Sequence, residues 1–355
     1  MIGLIDADLL DGGTRHPNLA LMKLSNYYKC LGKQTQLLLD YTNLNNYEQI
    51  FISKVFTKTN IPINLDKFSN ISIGGTGFFL DKAEPLLYDI EHKFPDYTLY
   101  NNYINNKIDN GFKKVFFKDY LDYSIGFTTR GCFRKCDFCV NKRYDKVAPH
   151  SKVSEFLDNN RKYILLLDDN IFGYYKWHEI FDELDNTNKR FQFEQGLDIR
   201  LLTEDKAKRL SNSNYIGDII FAFDSLKDKD IIEDKIRLWR RFSDKIIKFY
   251  TLSAFESQDV NDIISLFERF KILFRYKCIP YHTRFNGWDN GEMRGMYINI
   301  NRWANQPNIV KKMSFLEFCE ANGNNSSTMK YLNEFRSKYP KVANKYFNIK
   351  FKELV

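Results

Sequence analysis

The chain has little cysteine: six residues in 355, at positions 30, 132, 136, 139, 278 and 319. Six are too few, and three of them too closely bunched, for a disulfide framework; in a reducing compartment such a bunch more often holds metal. Also missing is any apolar run near the ~20 residues that cross a bilayer. The opening Met1-Ile2-Gly3-Leu4-Ile5-Asp6 meets an acid after a short apolar run, so no secretory signal or transit peptide is read there. The expectation is a cytoplasmic protein without a membrane partner. A strong charge excess is absent too. The 53 Lys and Arg against 45 Asp and Glu leave +8, compatible with an anionic small substrate, with RNA, or with no charged partner. What is present suits a globular protein: 43% hydrophobic and 28% charged residues exclude intrinsic disorder, and the length allows two domains or a barrel with an appendage.

Apart from an alternation of strands and helices, no internal repeat is found. Ile2 to Asp6 reads as a strand, Pro17 to Leu31 as a helix with Gly32 just beyond it, and Gln34 to Leu39, Glu48 to Phe56 and Ile71 to Gly74 as further strands. Strands separated by helices imply right-handed crossovers and a doubly wound parallel sheet. The Asn-rich stretch Tyr100 to Gly111 reads as a linker. Six more strands are expected at Tyr123 to Thr129, Tyr163 to Leu167, Phe191 to Glu194, Ile219 to Phe223, Ile246 to Leu252 and Leu273 to Ile279. Helical patterns such as Asp205 to Leu210, Asp230 to Phe242 and Asp259 to Phe270 lie between them. That spacing suggests a parallel barrel or partial barrel with its chemistry at the C-terminal strand ends. From Gly291 onward the pattern is mainly helical.

The strongest chemical signal is Gly126-Phe127-Thr128-Thr129-Arg130-Gly131-Cys132-Phe133-Arg134-Lys135-Cys136-Asp137-Phe138-Cys139-Val140. A strand ends, a glycine turns the chain, and three cysteines follow with three and then two residues between them. Thiolates so spaced can converge on one cubane while leaving one iron without a protein ligand, a catalytic position. Arg130, Arg134 and Lys135 are expected to offset the negative charge. The alternative is a structural zinc site completed by a fourth ligand from elsewhere.

This Cys-x3-Cys-x2-Cys, with Phe138 before its last cysteine, resembles the signature of the radical S-adenosylmethionine (radical SAM) superfamily, over roughly residues 118 to 290. The resemblance implies that Cys132, Cys136 and Cys139 bind a 4Fe-4S cluster whose open iron is chelated by SAM. It also implies reductive cleavage to a 5′-deoxyadenosyl radical, and a reductant such as flavodoxin or ferredoxin. The N-terminal part resembles, less closely, the cobalamin-binding fold that precedes many such barrels; its loops are Asp6 to Asn18 and Ile73 to Phe78. The cobalt-ligating Asp-x-His-x-x-Gly is absent, and His16 has the wrong spacing. Cobalamin is therefore expected, if at all, without a histidine ligand.

The expected architecture is thus α/β: a doubly wound, cobalamin-binding-like sheet over 1–112, a partial (β/α)6 radical SAM barrel over 113–290, and a helical tail over 291–355. The resemblance places Asp168, Asp169 and Asn170 on the ammonium of SAM, unless they cap a helix. Gln195, Asp198 and Arg200 either bind SAM or, for the last two, bridge each other. Ser253 and Glu256 match loosely the adenosine segment, and Tyr281, His282 and Arg284 fall where adenine and substrate are held. Cys278 reads as the end of the last strand, either a hydrogen-atom donor or a core residue. Cys30 and Cys319 read as buried apolar groups, and His92, His150 and His178 show no partner pattern. Arg302, Trp303 and Asn305 either cover the barrel or line a substrate pocket. The activity implied is that of a radical SAM enzyme on a small molecule or RNA, with methyl or methylthio transfer among the outcomes. A methylthiotransferase is disfavoured, since only Cys30 lies in the N-terminal part.

Overall fold

The computed structural model describes residues 1–351. It contains twelve strands, β1 (Ile2–Asp6), β2 (Thr35–Leu37), β3 (Gln49–Ser53), β4 (Ile71–Gly74), β5 (Tyr123–Gly126), β6 (Thr129–Arg130), β7 (Ala148–Pro149), β8 (Tyr163–Leu166), β9 (Arg190–Phe193), β10 (Ile220–Ala222), β11 (Lys248–Ser253) and β12 (Ile279–Arg284), interleaved with helices. The chain divides into two compact units, Met1–Glu194 and Gln195 onward.

In the first unit a parallel sheet runs in the order β2-β1-β3-β4. All five residues of β1 are buried, as expected of a central strand with both faces covered. Ile5, Ile50 and Ile52 pack with Leu38 and Leu44 in one cluster. Ile2 and Leu4 pack in another, against Leu21 and Leu24 of the helix Leu19–Cys30, which Asn18 caps by accepting from the Leu21 amide. A second parallel sheet, β5-β8-β9, pairs Ile125 with Leu165 and Leu165 with Gln192, and the short antiparallel pair β6–β7 joins Arg130 to Ala148.

The expected linker is instead a helix, Asn101–Asp109. Tyr100 and Ile104, one turn apart, are both buried, and the Tyr100 hydroxyl donates to Asp6 Oδ2 at 2.9 Å. One buried face outweighs an Asn-rich composition.

The second unit holds the parallel sheet β10-β11-β12 and a parallel bridge from Leu197 to Phe221. One face carries Phe221, Phe249, Thr251, Ser253 and His282, all buried. The helices Lys229–Arg240 and Val260–Arg275 lie against this unit's core, with Phe221 at 6.0 Å from Trp239 and His282 at 6.4 Å from Phe270. Helices from Arg294 to Tyr346 close an aromatic core of Phe267, Trp303, Phe315 and Phe347.

One strand is displaced from its expected place. The helix expected to stop at Phe270 runs to Arg275, and the strand expected over 273–279 begins only at Ile279. Leu273, Phe274 and Phe270 continue the helix's buried stripe, and the three-residue apolar stretch Ile272 to Phe274 has no period that tells helix from strand. Among the described residues, no helix is long and apolar enough to cross a membrane.

Candidate functional site

The cysteine loop leaves the sheet through a fixed stem. Asp168, just beyond the end of β8 and almost fully buried, accepts from the amide and hydroxyl of Thr128 at 3.1 and 2.6 Å. It accepts as well from the amide and hydroxyl of Thr129 at 2.5 and 2.6 Å. Burial raises its pKa, and these four donors oppose the rise. Both oxygens are thereby spent on the polypeptide, so Asp168 holds the stem of the loop, where the resemblance implied a SAM contact. The next residue, Asp169, holds the same stem by accepting from the Gly131 amide at 2.7 Å. Gly131 sits at φ +92°, and a Cβ there would lie 2.6 Å from the Lys146 carbonyl oxygen, so only glycine makes this turn.

Beyond the turn, Cys132, Cys136 and Cys139 are all partly exposed. Their sulfurs receive N–H groups. Arg134 N and Asn170 Nδ2 approach Cys132 Sγ at 3.3 and 3.2 Å, and Asn141 N approaches Cys139 Sγ at 3.3 Å. Donors of this kind favour sulfur that carries negative charge. Burial raises the Cys139 pKa, opposed by the Asn141 amide. Asn170 itself is 4% exposed, and its Oδ1 is buried without a hydrogen-bond partner. An orphaned acceptor beside three thiols is the arrangement expected where a cationic or N–H-bearing ligand docks. Among the described residues, no three or more His, Cys, Asp or Glu converge as ligands of a single metal ion. A cluster asks for a different spread, because each thiolate binds its own iron. The donor set therefore fits an iron–sulfur cluster.

The basic residues of the loop are turned elsewhere. Arg130 stacks on Phe127 at 3.9 Å and Arg134 on Phe133 at 5.2 Å, while Lys135 donates to the carbonyls of Lys142 and Tyr144 and pairs with Asp145. The donors that reach the Cys132 and Cys139 sulfurs are backbone and carboxamide N–H groups.

In the second unit, Arg200 bridges Asp198 at 2.7 Å and Asp228 at 2.7 Å, and Asp198 accepts from the Arg200 amide. The internal bridge is the one of the two alternatives that forms, while Gln195 is exposed. Ser253 is buried on the helix-facing side, 2.7 Å from His282 Nε2. Burial drives the His282 pKa down to about 3, so the ring is neutral and packed, not a catalytic acid. Tyr281, on the opposite face, is 42% exposed and meets Tyr250 edge-on at 5.5 Å. Arg284 stacks on Trp288 at 3.8 Å, and Glu256 is an exposed carboxylate 3.3 Å from Ser225 Oγ. Cys278 is fully buried, with a pKa pushed up to about 12 by burial. It precedes β12, so it lies at the N-terminal edge of the sheet, the end away from barrel chemistry. Its expected catalytic role is corrected accordingly.

Trp303 is core, donating to the Met313 carbonyl, and Asn305 bonds both backbone groups of His282; Arg302 reaches Thr328 and Asn322. Cys319 is buried as expected, but Cys30 is exposed.

Some groups escaped the sequence reading. Asp224, immediately after β10, is desolvated so that its pKa rises to about 6 against the pull of Arg269; an acid directly after a predicted strand was the available signal. His92 and His150 stack at 5.1 Å, His92 beside Glu155 at 2.7 Å and His150 beside Glu91 at 3.2 Å. No local spacing announces that pair.

The chain is built of parallel βα units with a three-cysteine loop at the strand ends, and its fold is similar to that of two solved structures of a radical SAM methyltransferase. The particular structures it resembles are of TsrM from Kitasatospora setae, one with cobalamin and a 4Fe-4S cluster bound and one with tryptophan substrate and the SAM analog aza-SAM. The first gives a TM-score of 0.51 at 9% identity over 80% of this chain and 74% of that one. The second gives 0.52 at 10% identity over 79% and 72%. No family model and no curated protein matches the sequence.

Proposed function

We propose that this protein is a radical SAM enzyme in which Cys132, Cys136 and Cys139 hold a 4Fe-4S cluster. The observation that carries the reading is the cysteine loop itself, anchored by Asp168 and Asp169 and furnished with N–H donors to its sulfurs, on a fold shared with a radical SAM methyltransferase. When bound, such a cluster with SAM on its open iron supplies one electron to the sulfonium and thereby a 5′-deoxyadenosyl radical. The chain's own groups bind and orient. Asn170, one of the three residues expected at the ammonium of SAM, keeps its Nδ2 on Cys132 and offers its free Oδ1 to that ammonium. The layout proposed is a sheet domain over 1–112, a partial barrel over 113–290 and a helical tail, with a flavodoxin- or ferredoxin-type donor as reductant.

Cobalamin does not fit the cavity beside the cysteine loop. The cavity at the ends of β3 and β4 has about 390 Å³, the low end for a drug-sized ligand and far less than a corrin with its nucleotide tail requires. His16 turns its Nδ1 to the Pro17 carbonyl at 3.3 Å.

Anaerobic reconstitution tests the proposal. Wild-type protein should turn brown, take up iron and sulfide in cluster proportion, and release 5′-deoxyadenosine and methionine from SAM once reduced. Full iron content in Cys132→Ala, Cys136→Ala and Cys139→Ala, or a colourless zinc protein, would overturn it.

A further inference from the structure

We infer that the cavity of the first unit, bordered by the cysteine loop, binds a small organic carboxylate with an apolar body, Arg130 being the group that receives the carboxylate. The cavity has about 390 Å³ and lies outside the C-terminal ends of β3 and β4, where Ser53 and Gly74 stand on its wall. Open parallel sheets bind their ligands in that crevice. Apolar walls come from Leu19, Phe51, Leu80, Leu86 and Val140.

The charged groups on the walls are unequal in their commitments. Lys23, 5% exposed, pairs with Glu91 at 3.2 Å and also donates to the Glu91 carbonyl. Glu91 is held in turn by His150, and Lys23, His150 and Arg130 keep its pKa down to about 2 despite burial. Arg143 donates to the Ala83 carbonyl and the Tyr144 hydroxyl. Among the described residues no partner makes an ion pair or a side-chain hydrogen bond with Arg130, whose charge acts on Glu91 from a distance; its guanidinium lies over Phe127 at 3.9 Å. Arg130 lines the cavity, and a guanidinium stacked by its face keeps a fork of N–H donors that matches a carboxylate bidentately. Asp81 and Glu84 line the cavity from the segment Leu80 to Leu86, and their like charge disfavours an anion on that side. Because Arg130, Val140 and Asn141 flank the three cysteines in sequence, the ligand sits beside the proposed cluster. Naming it the substrate rests on the radical SAM reading; the binding itself does not.

The experiment is calorimetry on the reconstituted full chain with octanoate and 3-phenylpropanoate, each against its primary amide. Iron content and SAM cleavage are measured on the same samples. The carboxylates should bind at least tenfold tighter than their amides. Arg130→Gln should erase that preference and Arg130→Lys retain part of it. Leu86→Trp, remote from the cysteine loop in sequence, should block both members of each pair, which guards against Arg130→Gln merely misfolding the loop. Equal affinity for acid and amide, no binding of either carboxylate, or an unchanged preference in Arg130→Gln would overturn the proposal. A wild-type preference without iron or SAM cleavage would leave the carboxylate pocket standing and sink the radical reading; cleavage without the preference would do the reverse.

Discussion

Asp168 shows how a single residue can look like a ligand and act as a fastener. Its carboxylate accepts four hydrogen bonds from Thr128 and Thr129, so its removal strands two amides and two hydroxyls in a buried place. Each buried donor left unpaired costs about 1–3 kcal/mol, less where water enters. Asp168→Ala should therefore lower stability by about 3 kcal/mol in urea unfolding and reduce iron uptake and SAM affinity together. A loss of SAM affinity at full iron content and unchanged stability would restore the direct contact. Asn170→Ala should behave the other way, weakening SAM binding with stability little changed. Cys278 supplies a contrasting residue. Its thiol is enclosed, 3.5 Å from the Tyr276 carbonyl, and neutral at any physiological pH. Cys278→Ala should leave SAM cleavage and product formation intact and cost about 1–2 kcal/mol as a small cavity; abolished product formation with SAM cleavage retained would return it to the chemistry.

At the scale of the element, β12 is an edge strand whose free side is covered by one side chain. Asn305 accepts from the His282 amide at 2.6 Å and donates to the His282 carbonyl at 2.9 Å, which is what a neighbouring strand would do. Asn305→Ala should expose that edge, raise hydrogen exchange at the His282 amide by at least tenfold and cost about 2 kcal/mol. Unchanged exchange would show that the helix Arg294–Ala304 protects the edge by packing alone. The same element explains where sequence reasoning slipped. The run from Lys271 to Ile279 has apolar residues without a decisive period, so the boundary between helix and strand moved by several residues, and Cys278 moved from one end of the strand to the other. By contrast β1, β4 and β8 fall within a residue of their expected bounds, because each is a short apolar run with turn-forming or polar residues at its flanks.

For the whole molecule, buried acids set a pH dependence of stability. Burial raises the Asp6 pKa from 3.8 to about 6, although Tyr100 and the Leu9 amide pull it down. Asp224 is raised to about 6 likewise. A raised folded pKa means that the folded state binds more protons than the unfolded state between about pH 4 and pH 6. The stability each acid contributes is full below pH 4 and is lost as pH rises through 6. The difference in unfolding free energy between wild type and Asp6→Asn should fall by about 3 kcal/mol from pH 4 to pH 7, since each pKa unit is worth about 1.4 kcal/mol. A flat difference across that range would mean that Asp6 titrates normally. Glu91 has the opposite sign: its pKa of about 2 contributes stability above pH 4.5 that is lost only in stronger acid.

The sequence by itself determined the parallel α/β class, the cysteine loop and the strand-end acids that follow β8. Those signals are local: thiolates on one cluster must be close in sequence when a single loop carries them, and a strand's apolar run is written in consecutive residues. Only the tertiary structure decided which polar groups are free. Asp168 and Arg200 carry the right chemistry for a ligand, yet Thr128, Thr129, Asp198 and Asp228 already occupy them. Arg130, read as a counter-charge for thiolates, stacks on Phe127 and lines a cavity, and His92 finds His150 across a separation no spacing rule covers. A side chain's type fixes what it can bind, but whether its hydrogen bonds are already satisfied depends on residues tens of positions away, brought near by packing.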